Sequence, residues 1–440
     1  MLRFQLPQAL HLQSAATSSD IETCAAGLVF PAGIRDGEPV FTVRQLREVL
    51  PEAYAERTAR AASLKPAFCT EIANAAKLAG AGVLLAHTHV GERPLEEFSA
   101  TDDDGEVPLA EYFGRRLPGV PCFTAVFTGH TVRARALSGS AVDVTFVGSE
   151  LLPQHQHQVV QGGRYHRQVL AFGERGQAAV SSLRVAVVGL GGTGSVVASQ
   201  LAHLGVHSML LIDPDTVEAT NLNRLVGATL GDVGAAKVNV AACHVKAISP
   251  DTEVVAMQGD VANDDVARAL LETDFIFGCT DSMASRAVLN QLAYQFFIPC
   301  IDMGVGIHVV DGDVRFIAGR VQMLSPGLPC LVCTDKLDFE QVRREMMTDA
   351  QRKADPYIQG EAVQQPAVIS LNSTVSSAAV TMFLAAVAGV PSAARMLTYD
   401  GKLGTMRAAG MTPRAGCVAC AEEGGLGRGE RWPLPTRKGS

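Results

Sequence analysis

Positive charge is in short supply in this chain. Lys and Arg total 37 against 45 Asp and Glu, a net charge of −8. Nucleic-acid binding requires a basic face, so no nucleic-acid partner is expected. Cysteine is sparse, ten in 440 residues. That is too few for a disulfide framework, and a reducing, cytoplasmic setting is expected. The opening Met-Leu-Arg-Phe-Gln-Leu-Pro lacks a charged leader followed by an apolar core, so no signal peptide is expected. No membrane span is expected either. The longest small and apolar run, Val375 to Val390, carries Ser and Thr and reads as a buried or dimer-interface helix. Internal repeats are absent. Apolar residues make up 47% of the chain, enough for real cores, and the length suits roughly two to three domains.

The stretch Leu151–Gly163 is polar, rich in Gln and ends in Gly-Gly, as a linker would. It divides residues 1–150 from residues 164–422. The second part alternates strand and helix. Strands are expected at Val185–Gly189, Ser208–Asp213, Asp274–Cys279 and Pro299–Met303. Helices are expected at Ser195–Leu204, Val233–Ala247 and Ala284–Phe296, with a hairpin over Gly306–Gln322. This order predicts an α/β fold, a doubly wound and mostly parallel Rossmann-like sheet.

The first part reads as α+β. Its expected strands are Glu22–Phe30, Pro39–Val43, Gly82–His87, Cys122–Phe127, Thr131–Leu137 and Val142–Val147. Its expected helices are Pro66–Leu78 and a short Pro108–Arg116. The Gly-, Arg- and Pro-rich tail, 423–440, is expected to be disordered.

Gly189, Gly191, Gly192 and Gly194 follow the strand at 185 and open a helix. Glycines there let backbone N–H groups approach a phosphate, whose charge the helix dipole favours. Asp213 closes the next strand, where an acidic residue meets a ribose hydroxyl. These two features also fit an NAD-dependent oxidoreductase. Asn221, Arg224, Lys237 and Asp281 favour a triphosphate with Mg²⁺, cations for the phosphates and a carboxylate for the metal. Cys330/Cys333 and Cys417/Cys420 form two Cys-x-x-Cys pairs 84 residues apart, the pattern of a four-thiolate structural Zn²⁺.

The segments Arg164–Gln168, Arg184–Gly194, Ile212–Asp215, Asn221–Arg224, Val233–Lys237 and Cys279–Ser282, with both cysteine pairs, resemble the ubiquitin-activating/MoeB/ThiF adenylyltransferase family over about 164–420. The resemblance implies ATP-dependent adenylation of the C-terminal glycine of a ubiquitin-like or sulfur-carrier protein, with release of pyrophosphate. Asp213, and Asp215 beside it, would hold the ribose end. Asn221, Arg224 and Lys237 would contact phosphates, and Asp281 would serve Mg²⁺ and the reacting carboxylate. Arg167 would cross to a partner subunit's nucleotide, which implies a homodimer. Many relatives carry a thioester-forming cysteine between the zinc half-sites. None lies between Cys333 and Cys417, including Asp355–Pro366. The adenylate is therefore expected to pass to another protein, a conjugating enzyme, sulfur donor or amine.

In the first part, His87 and His89 stand at i and i+2 where a strand ends, so they face one way. Ser99 and Asp102 follow, and Glu22 lies on the first strand. Two histidines and an aspartate leave one zinc position open, and a nearby glutamate suits a base. The set resembles the JAMM (MPN-type) metalloprotease family over about 15–150. That implies Zn²⁺ on His87, His89 and Asp102, Glu22 as general base and Ser99 steadying the oxyanion. Val90 replaces the family's usual proline and the His89-to-Ser99 gap is longer than usual, so Asp103 or Asp104 are alternative ligands. The other reading of this part is a metal-free docking domain.

Overall fold

A computed structural model of the chain describes residues 1–91, 98–137, 139–154, 163–347 and 366–437. Two compact units emerge. The first comprises Met1–Gln156, Gln295–Phe297 and Glu422–Pro433, and the second comprises the rest.

The first unit runs β1 (Leu2–Gln5), α1 (Leu6–Ser18), β2 (Cys24–Arg35), β3 (Glu38–Glu48), β4 (Tyr54–Arg57), β5 (Ala62–Leu64), α2 (Pro66–Ala79), β6 (Gly82–Thr88), α3 (Ala100–Arg116), β7 (Phe123–Phe127), β8 (Val132–Ala136), β9 (Ala141–Val142), β10 (Val144–Val147) and β11 (Leu151–Pro153). Nine strands form one mixed sheet in the order β11-β10-β1-β3-β2-β6-β7-β8-β9, and β4 and β5 make a separate ribbon. The period of two along β2 builds both cores. Ala25 and Val29 join a cluster with Leu6, Ala9 and Leu12 of α1. Cys24, Ala26, Leu28 and Phe30 join another with Cys69, Ala73 and Ala76 of α2 and Phe113 of α3. Along β6, Val83 and Leu85 share the second face, so His87 and His89 continue toward the α2/α3 side.

Three expectations need correction here. β1 and α1 were not foreseen. Arg3 and Gln5 are buried in β1, and α1 leaves Leu10 exposed, so neither carries a clean apolar pattern. The helix expected at Pro108 begins at Ala100, with Pro108 inside it. The tail expected to be disordered is built into the fold. Leu426 is buried, Thr42 Oγ1 donates to the Gly427 carbonyl (2.8 Å), and further on Arg437 pairs with Asp260 in the second unit.

The second unit runs α4 (His166–Ser182), β12 (Arg184–Val188), α5 (Gly194–Leu204), β13 (Ser208–Ile212), α6 (Lys237–Ile248), β14 (Glu253–Met257), α7 (Asp264–Ala269), β15 (Phe275–Gly278), α8 (Met283–Gln295), β16 (Cys300–Val310), β17 (Asp313–Leu324), α9 (Phe339–Glu345), α10 (Ile369–Val387), β18 (Met396–Asp400) and β19 (Thr405–Ala408). Its sheet orders as β14-β13-β12-β15-β16-β17-β18-β19. The first five of these strands are parallel and the last three antiparallel. From β12 the chain winds first toward β14, then returns to β15 and continues outward. The boundary between β12 and β15 is thus a topological switch point, where open α/β sheets form a ligand crevice.

Here α6 starts at Lys237, not at Val233, because Gly234 holds a positive φ of 94°. α10 is longer than expected, and by length and composition alone it is apolar enough to cross a membrane, with half of that window buried. It packs against α5, β16 and β17, and Phe383 lies edge-on to Phe275 with centroids 4.9 Å apart. These contacts suit a core helix.

Candidate functional site

β12 delivers the glycine loop to the switch point. Gly189 holds φ 88°, and a Cβ there would lie 2.7 Å from the Cys279 carbonyl oxygen at the end of β15. A Cβ on Gly194 would stand 1.8 Å from the Gly189 oxygen. Both positions therefore admit only glycine. Gly191 has open space around it. The amides of Gly191, Gly192 and Thr193 make no hydrogen bond among the described residues. They precede the N-terminus of α5, where unpaired donors and the helix dipole suit a phosphate.

Asp213 follows β13 and is 4% exposed. Its Oδ2 accepts from the Leu190 amide (2.6 Å) and its Oδ1 from the Asp215 amide (2.9 Å). Burial pushes its carboxyl upward, against the pull of the Leu190 amide and Lys237. Lys237 Nζ lies 2.7 Å from Asp215 Oδ2 and 3.9 Å from Asp213 Oδ1. Asn221 is buried, and its Oδ1 accepts from the Glu218 amide (3.2 Å). Arg224 Nη1 donates to the Thr220 carbonyl (2.8 Å), and its Cδ would lie 3.3 Å from a Cβ on Gly192. The structure thus brings Asp213, Asp215 and Lys237 together, and Arg224 against the loop.

Asp281 is exposed, just past β15. Next to it, Ser282 Oγ and the Ala284 amide both donate to Glu345 Oε2 (2.7 and 2.9 Å), so α9 closes the start of α8. Arg167 is exposed near the start of α4. It makes no hydrogen bond or ion pair among the described residues, and nothing ties it to the loop. Two residues escaped sequence reasoning. The Asn372 amide would meet a Cβ on Gly192 at 2.1 Å, and Ser376 Oγ donates to the Thr193 carbonyl (3.0 Å). Both sit on α10, far along the chain. Nothing in the sequence set them apart from the other polar residues of that helix, Ser370, Ser373, Thr374, Ser377 and Thr381 among them.

A cavity of about 420 Å³ opens beside Met283, its charged lining made by Arg286, Arg320 and Lys336 together with Asp335 and Asp338. Buried Asp302 pairs with Arg320, and with Arg286 at 3.3 Å. This pair of arginines was also unforeseen.

The four cysteines converge and are buried. Cys330 Sγ lies 3.6 Å from Cys333 Sγ and 3.5 Å from Cys417 Sγ, and Cys333 Sγ lies 3.4 Å from Cys420 Sγ. The Arg414 amide donates to Cys333 Sγ (3.2 Å). Hydrogen bonding from Cys420 pulls the Cys330 thiol down to about 6, burial opposing it. Four clustered, buried sulfurs fit a tetrahedral Zn²⁺.

In the first unit a second cluster forms. His87 Nε2 and His89 Nε2 lie 3.2 Å apart. Asp102 reaches them at 3.0 and 3.5 Å. Asp103 pairs instead with Arg135, so among the candidate aspartates it is Asp102 that faces the histidines. Ser99 caps α3, its Oγ donating to Asp102 Oδ2 (2.7 Å). Burial pushes the Asp102 carboxyl up, but hydrogen bonds from His87, His89 and Ser99 prevail and hold it well below the usual range. The bond to Asp102 raises His89. Glu22 is 6% exposed. Burial raises its carboxyl, the two histidines countering in part. Two imidazole nitrogens and a carboxylate oxygen within 4.8 Å of one another fit a zinc-type donor set.

The ThiF family model matches residues 165–419, more than half of the chain. The chain belongs to the ThiF family. It is 32% identical over 172 residues to the SAMP-activating enzyme E1 of Haloferax volcanii, covering 39% of this chain and 60% of that protein. It is 27% identical over 261 residues to the molybdopterin-synthase adenylyltransferase of Escherichia coli, covering 59% and 96%. It is 30% identical over 172 residues to ubiquitin-like modifier-activating enzyme 5 of Bombyx mori, covering 37% and 44%. The chain thus spans less than two thirds of the first and third of these relatives.

Membership in the ThiF family removes the oxidoreductase alternative for the glycine loop. The match begins at 165 and leaves the first unit outside it. Outside the four-sulfur cluster the ThiF-type unit holds Cys243, Cys279 and Cys300. Burial pushes the thiols of Cys279 and Cys300 well above the usual range, and Cys243 lies exposed on α6. The segment 355–365, read above as lacking a thioester cysteine, lies outside the described residues.

Proposed function

We propose that this protein adenylates the C-terminal glycine of a ubiquitin-like or sulfur-carrier protein with ATP. The observation that carries the reading is the crevice between β12 and β15. It gathers a glycine loop with unpaired amides, a buried aspartate and Lys237 in a chain of the ThiF family. A carboxylate oxygen of the terminal glycine attacks the α-phosphorus of ATP, the bond to the β-phosphate oxygen breaks, and pyrophosphate leaves with its electron pair. The loop amides, Arg224 and Lys237 would stabilise the charge that spreads over the phosphates. Asp213 would hold the ribose, and Asp281 would hold Mg²⁺, which neutralises phosphate charge when bound. The carrier's tail is proposed to enter by the cavity at Arg286 and Arg320. A homodimer in which Arg167 reaches the partner's nucleotide, and a cytoplasmic setting, belong to the same proposal. The test is ATP–pyrophosphate exchange with glycine-ending carriers. Exchange that depends on one carrier supports the reading, and ATP binding with no exchange for any carrier, those from the same gene neighbourhood included, counts against it.

For the first unit we propose a zinc peptidase centre acting on the same carrier, exposing its terminal glycine or removing it from targets. His87, His89 and Asp102 would hold Zn²⁺, which activates water and polarises a carbonyl when bound. The raised carboxyl of Glu22 suits a general base, and Ser99 would turn its hydroxyl from Asp102 to the oxyanion. The expected stoichiometry is two zinc ions per chain, one for each cluster. His87→Ala is expected to leave one and to end any cleavage of carrier fusions. A wild-type chain that holds one zinc would instead favour a docking domain.

A further inference from the structure

The first two turns of α3 carry the aspartate ligand, and beyond the Ser99–Asp102 capping box they have little of their own to hold them against the sheet. Gly105 costs about 1 kcal/mol of helix propensity relative to alanine. Pro108 removes the N–H that would bond the Asp104 carbonyl. Residues 99–101 and 103–105 are exposed, so no apolar contact secures this turn before Glu106.

Arg135 on β8 ties this turn to the sheet. Its Nε donates to Glu106 Oε2 at 2.9 Å, its Nη2 lies 2.7 Å from Asp103 Oδ1, and its guanidinium sits 3.9 Å from the centroid of the Phe98 ring. Three residues flanking Ser99 and Asp102 are therefore fastened to one side chain. Glu106 is buried and its Oε1 has no hydrogen-bond partner, so Arg135 is its counter-ion. An arginine suits the task, because its planar fork can serve two carboxylates and stack on a ring at once.

β8 pairs with β7, Arg135 opposite Thr124, and β7 pairs with β6, Val126 opposite His87. The strand that anchors the aspartate is thus tied through the sheet to the strand that presents the histidines. We infer that Arg135 is a positioning residue for the His87–His89–Asp102 centre, fixing the first turn of α3 so that the aspartate meets the histidines. This rests on the zinc reading proposed above for the first unit.

The experiment uses the full chain loaded with Co²⁺ or Zn²⁺ and competed with a chelator. Co²⁺ reports the two sites separately, since only the cysteine cluster gives intense sulfur-to-metal charge-transfer absorption. Arg135→Met is expected to weaken the nitrogen/oxygen site about tenfold or more and to leave the thiolate site unchanged. Arg135→Lys is expected to recover part of the loss, reaching one carboxylate but not both. Asp103→Asn removes one exposed leg of the clamp without threatening the fold and is expected to weaken the same site by a smaller factor. Unchanged affinity at that site in both Arg135→Met and Asp103→Asn would overturn the inference. If the wild type shows no such site, or His87→Ala does not abolish it, the zinc reading itself fails, a result distinct from the failure of Arg135.

Discussion

Asp281→Ala is expected to reduce carrier-dependent ATP–pyrophosphate exchange about 10²–10³-fold, the cost of removing one preorganised electrostatic group from a transition state. Asp281 lies just past β15 on the carboxyl-end side of the switch point, beyond Cys279, whose carbonyl crowds Gly189. It is exposed and has no internal partner among the described residues, so its carboxylate is free to take a metal ion. Its removal leaves no buried charge behind, and the fold is expected to be unaffected. ATP binding, measured separately, is expected to survive in large part, because the glycine loop, Asp213 and Lys237 remain. Full exchange in the mutant would sink the role given to Asp281. Loss of both binding and exchange would point to a structural effect of the substitution.

Cys330→Ala is expected to unfold much of the second unit. The four sulfurs are buried, and a structural zinc contributes about 10–16 kcal/mol to the state that binds it. That is comparable to the whole stability of a typical domain, about 5–15 kcal/mol. The cluster also sits in a wider network. Leu331 donates its amide to Asn290 Oδ1 (2.8 Å) on α8. Gln322 joins the Pro329 carbonyl (2.9 Å) to Arg320 (3.0 Å), which lines the cavity. Thermal melts followed by circular dichroism, with zinc content measured in parallel, test this. A mutant that melts with the wild type and keeps its zinc would show that the cluster is not a structural metal site.

The core of the second unit was legible because parallel strands buried on both faces are unbroken apolar runs. Val185–Val188 and Phe275–Gly278 could hardly be read otherwise. The glycine loop was legible because steric demand leaves no other residue possible at Gly189 and Gly194. The cysteine cluster was legible because thiolate spacing is itself a coordination rule. In the first unit His87 and His89 were legible because their i, i+2 spacing at the end of β6 turns them to one side.

What escaped notice depends on distant chain segments meeting. Asn372 and Ser376 reach the loop from α10, and Arg135 reaches α3 from β8. Pro108 misled because proline favours a helix start, whereas here the Ser99–Asp102 capping box starts α3 earlier. The tail misled in another way. Its glycines looked like flexibility, but Gly429 is a point of close approach, where a Cβ would lie 2.0 Å from the Pro31 carbonyl oxygen.

The two halves of the cysteine cluster are 87 positions apart. Pinning them together turns everything between, from α9 through α10 to β19, into a closed excursion with fixed ends. The entropy of closing such an excursion grows only logarithmically, about 0.6 kcal/mol for each doubling of a flexible length. On the zinc reading, the two ends of the excursion therefore stay together however its length changes.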